Sequence, residues 1–68
     1  MGAKTGRVKI YNKRRGFGII QSDNSDYFFR WTDIVSNSHK QCRAGERVIF
    51  TPQQHMRGLR AVEVKSVG

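Results

Sequence analysis

The sequence has little of what disulfide-bonded or zinc-binding proteins need. Its 68 residues include one cysteine, Cys42, and one proline, Pro52. A single thiol excludes an intramolecular disulfide, and neither a second thiol nor a histidine-rich cluster accompanies it to hold zinc. We therefore expect a reducing compartment, no metal and no other cofactor.

Long apolar runs are also missing. The first five residues, Met-Gly-Ala-Lys-Thr, lack the apolar core of a signal peptide. No stretch has the length of a membrane span or the one-sided period of an interfacial helix. We therefore expect a cytoplasmic protein with no membrane partner.

Acidic residues are scarce. Five Asp and Glu stand against thirteen Lys and Arg, which gives a formal net charge of +8. This excess favours a polyanionic partner, and nucleic acid is the expected one. Neither Asp33 nor Glu46 has a paired acid or a nucleophile at a catalytic spacing, and His39 and His55 lie far apart in polar segments. We therefore expect no enzyme and no small-molecule substrate.

The chain is long enough for one small domain, residues 1–68, with an ordered core over about residues 5–67. Period-two patterns and turn residues predict five short strands and no convincing helix. The predicted strands are residues 5–12, 16–20, 26–31, 46–51 and 59–67. Because a closed barrel removes the open edges of so small a sheet, we expect an all-β, five-stranded antiparallel barrel.

The connections follow from polar and turn-forming segments. Residues 12–16 form a basic hairpin loop, residues 32–35 one helical turn that Ile34 anchors, and residues 36–45 a long surface loop. Pro52 is expected to end the fourth strand, and residues 53–58 to form an exposed loop. The side chains of Val48, Phe50, Val62 and Val64 are expected to face inward.

The stretch from residue 16 to residue 31 carries apolar groups on both faces of two neighbouring strands. In the first strand, the side chains of Phe17 and Ile19 project from the same face. In the second strand, the side chain of Phe28 projects from one face and those of Tyr27 and Phe29 from the other. A core needs only one of these faces, and the chain is too short to cover the other. The uncovered face is therefore predicted to be a binding surface.

Three segments resemble the motifs of cold-shock domains, which are five-stranded OB-fold barrels. They are residues 6–12 (Gly-Arg-Val-Lys-Ile-Tyr-Asn), 15–20 (Arg-Gly-Phe-Gly-Ile-Ile) and 26–31 (Asp-Tyr-Phe-Phe-Arg-Trp). The family has Lys-Gly-Phe-Gly-Phe-Ile and Asp-Val-Phe-Val-His-Phe in the last two. The resemblance also includes Ile34, Gly45, Val48, Phe50, Gly58, Ala61 and Val64. It implies a protein that binds single-stranded RNA or DNA.

The chain departs from the family at three positions that bear on binding. Ile10 stands where the family usually has Trp, Ile19 where it has a second Phe, and Arg30 where it has His. Two stacking rings are thus missing, although a guanidinium plane such as that of Arg30 also stacks on bases. These changes move the expected balance from stacking towards phosphate attraction.

Phe17 and Phe28 are the expected stacking platform, because a registered aromatic pair beside cations is typical of a binding face. A single aromatic in a small β domain is more often core. Tyr11 is expected to flank the platform, whereas Trp31 either flanks it or caps the barrel. Alternation sends Ile10 inward, while the family pattern sends it outward. The residues predicted to bind nucleic acid are Lys9, Ile10, Tyr11, Lys13, Arg14, Arg15, Phe17, Ile19, Phe28, Arg30, Trp31, His55 and Arg57.

The remaining cations have no aromatic neighbours that the sequence reveals. They are either solubilising charge or an extension of the binding surface: Arg43, Arg47, Arg60 and Lys65, with Arg57 sharing this ambiguity. The leading function is an RNA chaperone that traps unpaired bases with low sequence specificity. The alternative is a regulatory or protein-interaction module on the same barrel. We expect a monomer, and the long loop 36–45 also permits a strand-exchanged dimer.

Overall fold

The computed structural model describes residues 2–35 and 42–67. The described elements are β1 (Lys4–Asn12), β2 (Phe17–Ser22), β3 (Ser25–Arg30), a 3-10 helix (Trp31–Asp33), β4 (Arg47–His55) and β5 (Gly58–Ser66). The strands close into a barrel in the order β1-β2-β3-β5-β4. The all-β, five-stranded barrel predicted from the sequence is therefore confirmed.

Four of the five strand pairings are antiparallel, as expected. The barrel closes through the fifth, a parallel contact in which Phe28 of β3 lies opposite Arg60 of β5. A second parallel bridge joins Ile34 to Val64 just beyond β3. This parallel closure brings the far end of the chain beside the central aromatic stretch.

Two turns set the register of the β1-β2-β3 meander. Between β1 and β2, the Asn12 side-chain oxygen accepts the N–H of Arg15 at 3.0 Å, and Gly16 takes a φ of 71°. Between β2 and β3, Asp23 and Asn24 take φ values of 51° and 64°. Positive φ at both central residues is typical of a type I′ hairpin turn, whose twist matches that of the strands.

The core fills the barrel with aromatic and branched side chains. Its largest fully buried members are Phe29, Phe50, Ile20, Ile34, Val8, Val48 and Val64. Tyr27 packs against Phe50 with ring centroids 4.9 Å apart. The inward positions predicted for Val48, Phe50 and Val64 and the anchoring role of Ile34 are confirmed.

The prediction that Pro52 ends the fourth strand is wrong. Pro52 lies inside β4 opposite Ala61, and the strand continues to His55. The pairing of β4 with β1 stops at Phe50, so Pro52 lies where that edge of β4 has no neighbouring strand. The missing N–H of a proline is tolerated at such an edge. The expected loop 53–58 is reduced to a turn at residues 56–57.

The inward position predicted for Val62 is also wrong. Ala61 and Val64 are the buried residues of this strand, while Val62 is only partly buried. Glu63 between them has a φ of 52°, and the register between β4 and β5 shifts at this point. Such a bulge adds one residue to the strand and reverses the alternation of its side chains.

Most of the predicted surface loop, including His39, lies outside the described residues. Within residues 2–35 and 42–67, the 3-10 helix is far too short to cross a membrane, and no longer apolar helix is found. The same residues contain no cluster of three or more His, Cys, Asp or Glu side chains placed to bind a metal ion.

Candidate nucleic-acid interface

Four residues line up across the outer face of the barrel, one from each of four adjacent strands. Ile10 of β1 opposes Ile19 of β2, Ile19 opposes Phe28 of β3, and Phe28 opposes Arg60 of β5. Directly opposed residues project from the same face of a sheet. We call this row, Ile10, Ile19, Phe28 and Arg60, the outer ladder.

Ile10 reaches the outer ladder because β1 has a bulge. The register between β1 and β2 shifts between Val8 and Ile10, so two consecutive residues, Lys9 and Ile10, are exposed. Val8 before the bulge is buried, and 52% of Ile10 is exposed. The outward position taken from the family pattern is confirmed, and simple alternation is wrong here.

Phe17 and Phe28 stack on each other on this face. Their ring centroids are 5.6 Å apart and their planes differ by 30°. Both side chains are partly buried, and Phe17 opposes Arg30 in the next row of the sheet. We call Phe17 and Phe28 the stacked pair. The structure places the pair outside the core, and its contact with nucleic acid stays a prediction.

Tyr11 does not join the stacked pair. Its ring lies parallel to that of Phe29, with centroids 5.8 Å apart and planes 12° apart, and it packs against the core. Burial raises the pKa of the Tyr11 hydroxyl. A Cβ on Gly18 would lie 2.8 Å from Phe29, so only glycine leaves room for this ring. The bulge thus turns Tyr11 towards the core side of the sheet, and its contact with nucleic acid stays a prediction.

Trp31 lies at the border of the stacked pair and not in the core. Half of its surface is exposed. The backbone N–H of Trp31 donates to the Gly16 carbonyl at 2.8 Å, and a Cβ on Gly16 would meet the indole at 2.6 Å. The indole therefore rests on the glycine that precedes Phe17. This geometry favours the flanking position over the barrel cap.

Arg60 lies on this face, where the sequence had left it open between solubilising charge and an extension of the binding surface. Its guanidinium carbon is 5.6 Å from the centroid of Phe28, and that of Arg30 is 5.9 Å away. Asp33 holds Arg60 in place, because one carboxylate oxygen accepts from Arg60 at 3.0 Å and from the Arg30 backbone N–H at 2.9 Å. The expectation that Arg60 lacks an aromatic neighbour is wrong.

No local sequence pattern indicates that Arg60 contacts Phe28. The residue lies more than thirty positions beyond Phe28 in the chain, and the two meet only through the parallel closure of the barrel. Arg60 and Asp33 form an ion pair whose side chains are 26% and 15% exposed. The pair joins the 3-10 helix to β5 beside the stacked pair.

An open groove of about 550 Å³ adjoins Phe28 on the β5 side. It is lined by Phe28, Arg30, His55, Met56, Arg57, Gly58, Leu59 and Arg60. The His55 ring lies within hydrogen-bond distance of the Gln53 side chain, at 3.0 Å. Three predicted binding residues, Arg30, His55 and Arg57, thus meet beside one ring of the stacked pair.

Cations also lie at the β1 end of the outer ladder, on the side away from Arg60. Lys13, Arg14 and Arg15, which we call the basic tip, are exposed on the β1-β2 turn, and none pairs with a carboxylate in the described part of the chain. Lys9 forms a surface ion pair with Asp26 at 3.2 Å. Exposed pairs of this kind are worth little, so a phosphate competes readily for Lys9.

A second groove, of about 690 Å³, adjoins the ladder between Ile10 and the basic tip. Tyr11, Phe17 and Cys42 contribute to its lining. Cys42 is 7% exposed, and burial raises the pKa of its thiol to about 12. Cys42 is therefore a protonated thiol at neutral pH and adds no charge to this cationic face.

Comparison with known proteins supports the architecture. The family model described as the 'Cold-shock' DNA-binding domain matches residues 4–67. The cold shock-like protein CspA of Vibrio cholerae is 40% identical over 65 residues, which is 93% of this chain and 93% of that protein. CspG of Shewanella violacea is 39% identical over 62 residues, covering 88% of this chain and 89% of the relative.

A more distant relative and a solved structure agree with this. The major cold shock protein of Streptococcus pyogenes is 35% identical over 60 residues, 87% of this chain and 90% of that one. The solved structure of drosophila Unr CSD456 covers 98% of this chain with a TM-score of 0.81. Its identity is 20% and the match spans 27% of that chain, so it shows the fold alone. Since the family match runs through every described strand and several relatives align over most of the chain, this protein belongs to the cold-shock domain family.

Proposed function

We propose that this protein binds single-stranded RNA or DNA through the outer ladder, the stacked pair and the cations around them. Bases stack on Phe17 and Phe28, and phosphates lie against the cations. Stacking accepts any base, so sequence specificity is low. By trapping unpaired bases the protein acts as a chaperone of RNA structure in the cytoplasm, and it needs no energy source because mass action shifts the duplex equilibrium.

One observation carries this proposal. An aromatic pair lies outside the core and has two guanidinium groups within 6 Å of one ring, on a face with no covering element in the described chain. Cations beside aromatic faces meet both requirements of single-stranded nucleic acid, which presents charged phosphates and flat bases. We infer no catalytic activity and a monomeric state.

Trp31 provides a direct test, because it is the only tryptophan and lies half-exposed beside the stacked pair. Titration with an unstructured oligonucleotide should quench its fluorescence with a Kd of about 1 μM or lower at low salt, as single-strand binding proteins commonly do. Adding salt should reverse the quenching. The blunt duplex of the same sequence serves as the control and should bind more weakly. No quenching at low salt would refute the proposal.

A second candidate function is a protein-interaction module. Ile10, Trp31 and Met56 are large apolar residues with at least half of their surface exposed around the site. Ile10 and Ile19 also replace rings that the resemblance leads one to expect. This candidate requires that oligonucleotides leave Trp31 fluorescence unchanged at low salt, so the same titration separates the two functions.

A further inference from the structure

Two arginines face each other directly on adjacent strands, away from the stacked pair. Arg7 of β1 and Arg47 of β4 are Cα partners in the antiparallel register, and both are exposed. We call them the arginine pair. Side chains at opposed positions lie on the same face about 5 Å apart at Cβ, and like charges there destabilise a sheet.

The five acidic side chains all have partners outside the arginine pair. Asp23 pairs with Lys4 at 2.6 Å, Asp26 with Lys9 and Asp33 with Arg60. Glu63 accepts from the Thr51 hydroxyl at 2.9 Å. Glu46, next to Arg47 in the chain, accepts the backbone N–H of Arg43 at 2.9 Å. Among the described residues, no acidic side chain forms an ion pair with either member of the arginine pair.

The arginine pair borders an open groove of about 480 Å³. Neutral polar side chains from the β1 and β2 region, Thr5, Gln21, Ser22 and Asn24, also line it. Its one carboxylate, Asp23, is already paired with Lys4. The terminal Nη1 of Arg7 donates to the Gly45 carbonyl at 3.0 Å, which positions this guanidinium and leaves its other N–H groups for a ligand.

We propose that the arginine pair is a second phosphate-binding site for nucleic acid, separate from the stacked pair. A phosphate between two guanidinium groups cancels their repulsion and accepts hydrogen bonds from both. The site has no aromatic residue in its lining, so it contacts the backbone and not the bases. This inference rests on the proposed function and extends it to a second length of backbone.

The location fits a backbone that continues past the ladder. Arg7 lies on the same strand as Ile10, and the ordinary rise of a strand puts their Cα atoms roughly 10 Å apart. The phosphate comes either from the continuation of the strand bound at the stacked pair or from a second strand. Both sources have the same chemistry, and oligonucleotide length distinguishes them.

The test uses Arg47→Glu, which turns the repulsive pair into an attractive one. The melting temperature should rise by roughly 2–6 °C, because a cross-strand repulsion becomes an ion pair. Binding of a long strand of about twenty nucleotides should weaken, and its salt slope should fall by about 0.7 or more. A strand of about four nucleotides, the lower end of the usual site size of such a barrel, covers the ladder without extending far beyond it and should bind with nearly unchanged affinity and slope. Arg47→Gln should change binding in the same direction but less, because it removes one charge and forms no ion pair with Arg7.

Lys65→Glu is the matched control, since it makes the same charge change on β5 opposite the uncharged Ile49. It should change the long-strand salt slope much less than Arg47→Glu. Equal effects of the two variants, or unchanged long-strand binding in Arg47→Glu, would overturn the second site. Failure of the wild-type protein to bind even the short strand would instead refute the proposed function.

The source of the phosphate is read from stoichiometry. If one strand spans both sites, the wild-type protein binds the long strand tighter than the short one in a 1:1 complex, and Arg47→Glu removes the gain. If a second strand supplies the phosphate, the protein first binds one short strand and then binds a second, labelled short strand. Arg47→Glu abolishes the binding of this second strand. Either result supports the site, and the absence of both contradicts it.

Discussion

At the scale of single residues, Arg60 is a cation whose position is fixed by its neighbours. Asp33 holds its guanidinium, and Phe28 lies 5.6 Å beneath it. Most surface arginines lose side-chain entropy when they bind a ligand, but an arginine already held by a carboxylate loses less. Arg60 is therefore expected to contribute more to binding than cations of the same charge elsewhere on the barrel.

Arg60→Gln should weaken oligonucleotide binding by about 1–2 kcal/mol, because the ligand loses a positioned cation beside the stacking ring. Lys65→Gln removes the same charge from a position on β5 whose cross-strand partner is the aliphatic Ile49, and its effect should be under about 0.5 kcal/mol. Isothermal titration of both variants at one salt concentration measures the difference. Equal losses would show that Arg60 acts only through net charge.

Because of the buried Cys42 thiol, the free energy of unfolding is expected to fall at alkaline pH. Burial raises the pKa of this thiol from 9.0 to about 12, so above pH 9 the unfolded chain loses this proton while the folded chain keeps it. The stability that Cys42 contributes is complete below pH 9 and is lost as the pH rises towards 12, by up to about 1.4 kcal/mol per pH unit. Urea unfolding of the wild type and of Cys42→Ala, at pH 7 and pH 10, isolates this effect.

The expected result is a wild-type stability that falls more between the two pH values than that of Cys42→Ala. Other groups titrate in both proteins and cancel in the comparison. The same pH loss in both proteins would contradict a buried thiol. Folded wild-type protein should also react slowly with a thiol reagent at neutral pH, and urea should expose the thiol.

At the scale of strands, the local pattern predicted the three-stranded meander and the barrel well. Aromatic and branched runs between turn residues located β1, β2 and β3 within about two residues. The errors lie where a strand departs from strict alternation. The bulge at Ile10 reversed the side of Tyr11, and the bulge at Glu63 reversed that of Val62. A bulge depends on the partner strand, so a single strand's sequence does not reveal it.

Two other features depended on strands far apart in the chain. Pro52 is tolerated inside β4 because β1 no longer pairs with β4 at that point. Arg60 reaches Phe28 because β3 and β5 meet in parallel. The local residue propensities predict neither feature, because both depend on how strands that are distant in the sequence pair with each other. The stacked pair, in contrast, came from two short motifs and was found from sequence.

The outer ladder predicts what restoring its rings would do. Ile10→Trp and Ile19→Phe place new aromatic faces beside Phe28 on the same row of the sheet. Each should strengthen binding by roughly 1–3 kcal/mol, because a base that met an aliphatic side chain then stacks on a ring. The gain should persist at high salt, since stacking releases no counterions.

Val35→Trp is the control for these gains, because Val35 is an exposed apolar residue outside the ladder. Fluorescence anisotropy of a labelled oligonucleotide measures all three variants without relying on tryptophan emission. An equal gain from Val35→Trp would mean that any added ring promotes binding, and the ladder would lose its special role.

At the scale of the whole molecule, the net charge is +8, and some of the cations form ion pairs while others do not. Three of the five carboxylates form ion pairs with Lys4, Lys9 and Arg60, and the basic tip forms none among the described residues. A cationic face of this kind steers an anionic strand during encounter and releases counterions on binding. Salt should therefore weaken binding strongly.

Replacing both Arg14 and Arg15 by Ala should reduce the salt slope by up to about 1.4, because each phosphate contact on a single strand contributes about 0.7. The affinity should be measured at four or more salt concentrations for the variant and the wild type. A variant that binds more weakly with an unchanged slope would show that the basic tip does not touch phosphate. Little stability should be lost, since the tip is exposed.

The most direct test compares two adjacent residues of β3 that face opposite ways. Phe29 is fully buried, whereas Phe28 lies in the outer ladder and stacks on Phe17. Phe28→Ala should weaken oligonucleotide binding by roughly 1–3 kcal/mol with a smaller loss of stability. Phe29→Ala should cost roughly 3–5 kcal/mol of unfolding free energy, enough to unfold much of a small domain. Thermal melts and titrations of both variants decide the matter: a Phe28→Ala variant that unfolds, beside a Phe29→Ala variant that stays folded and stops binding, would contradict the assignment of this face to nucleic acid.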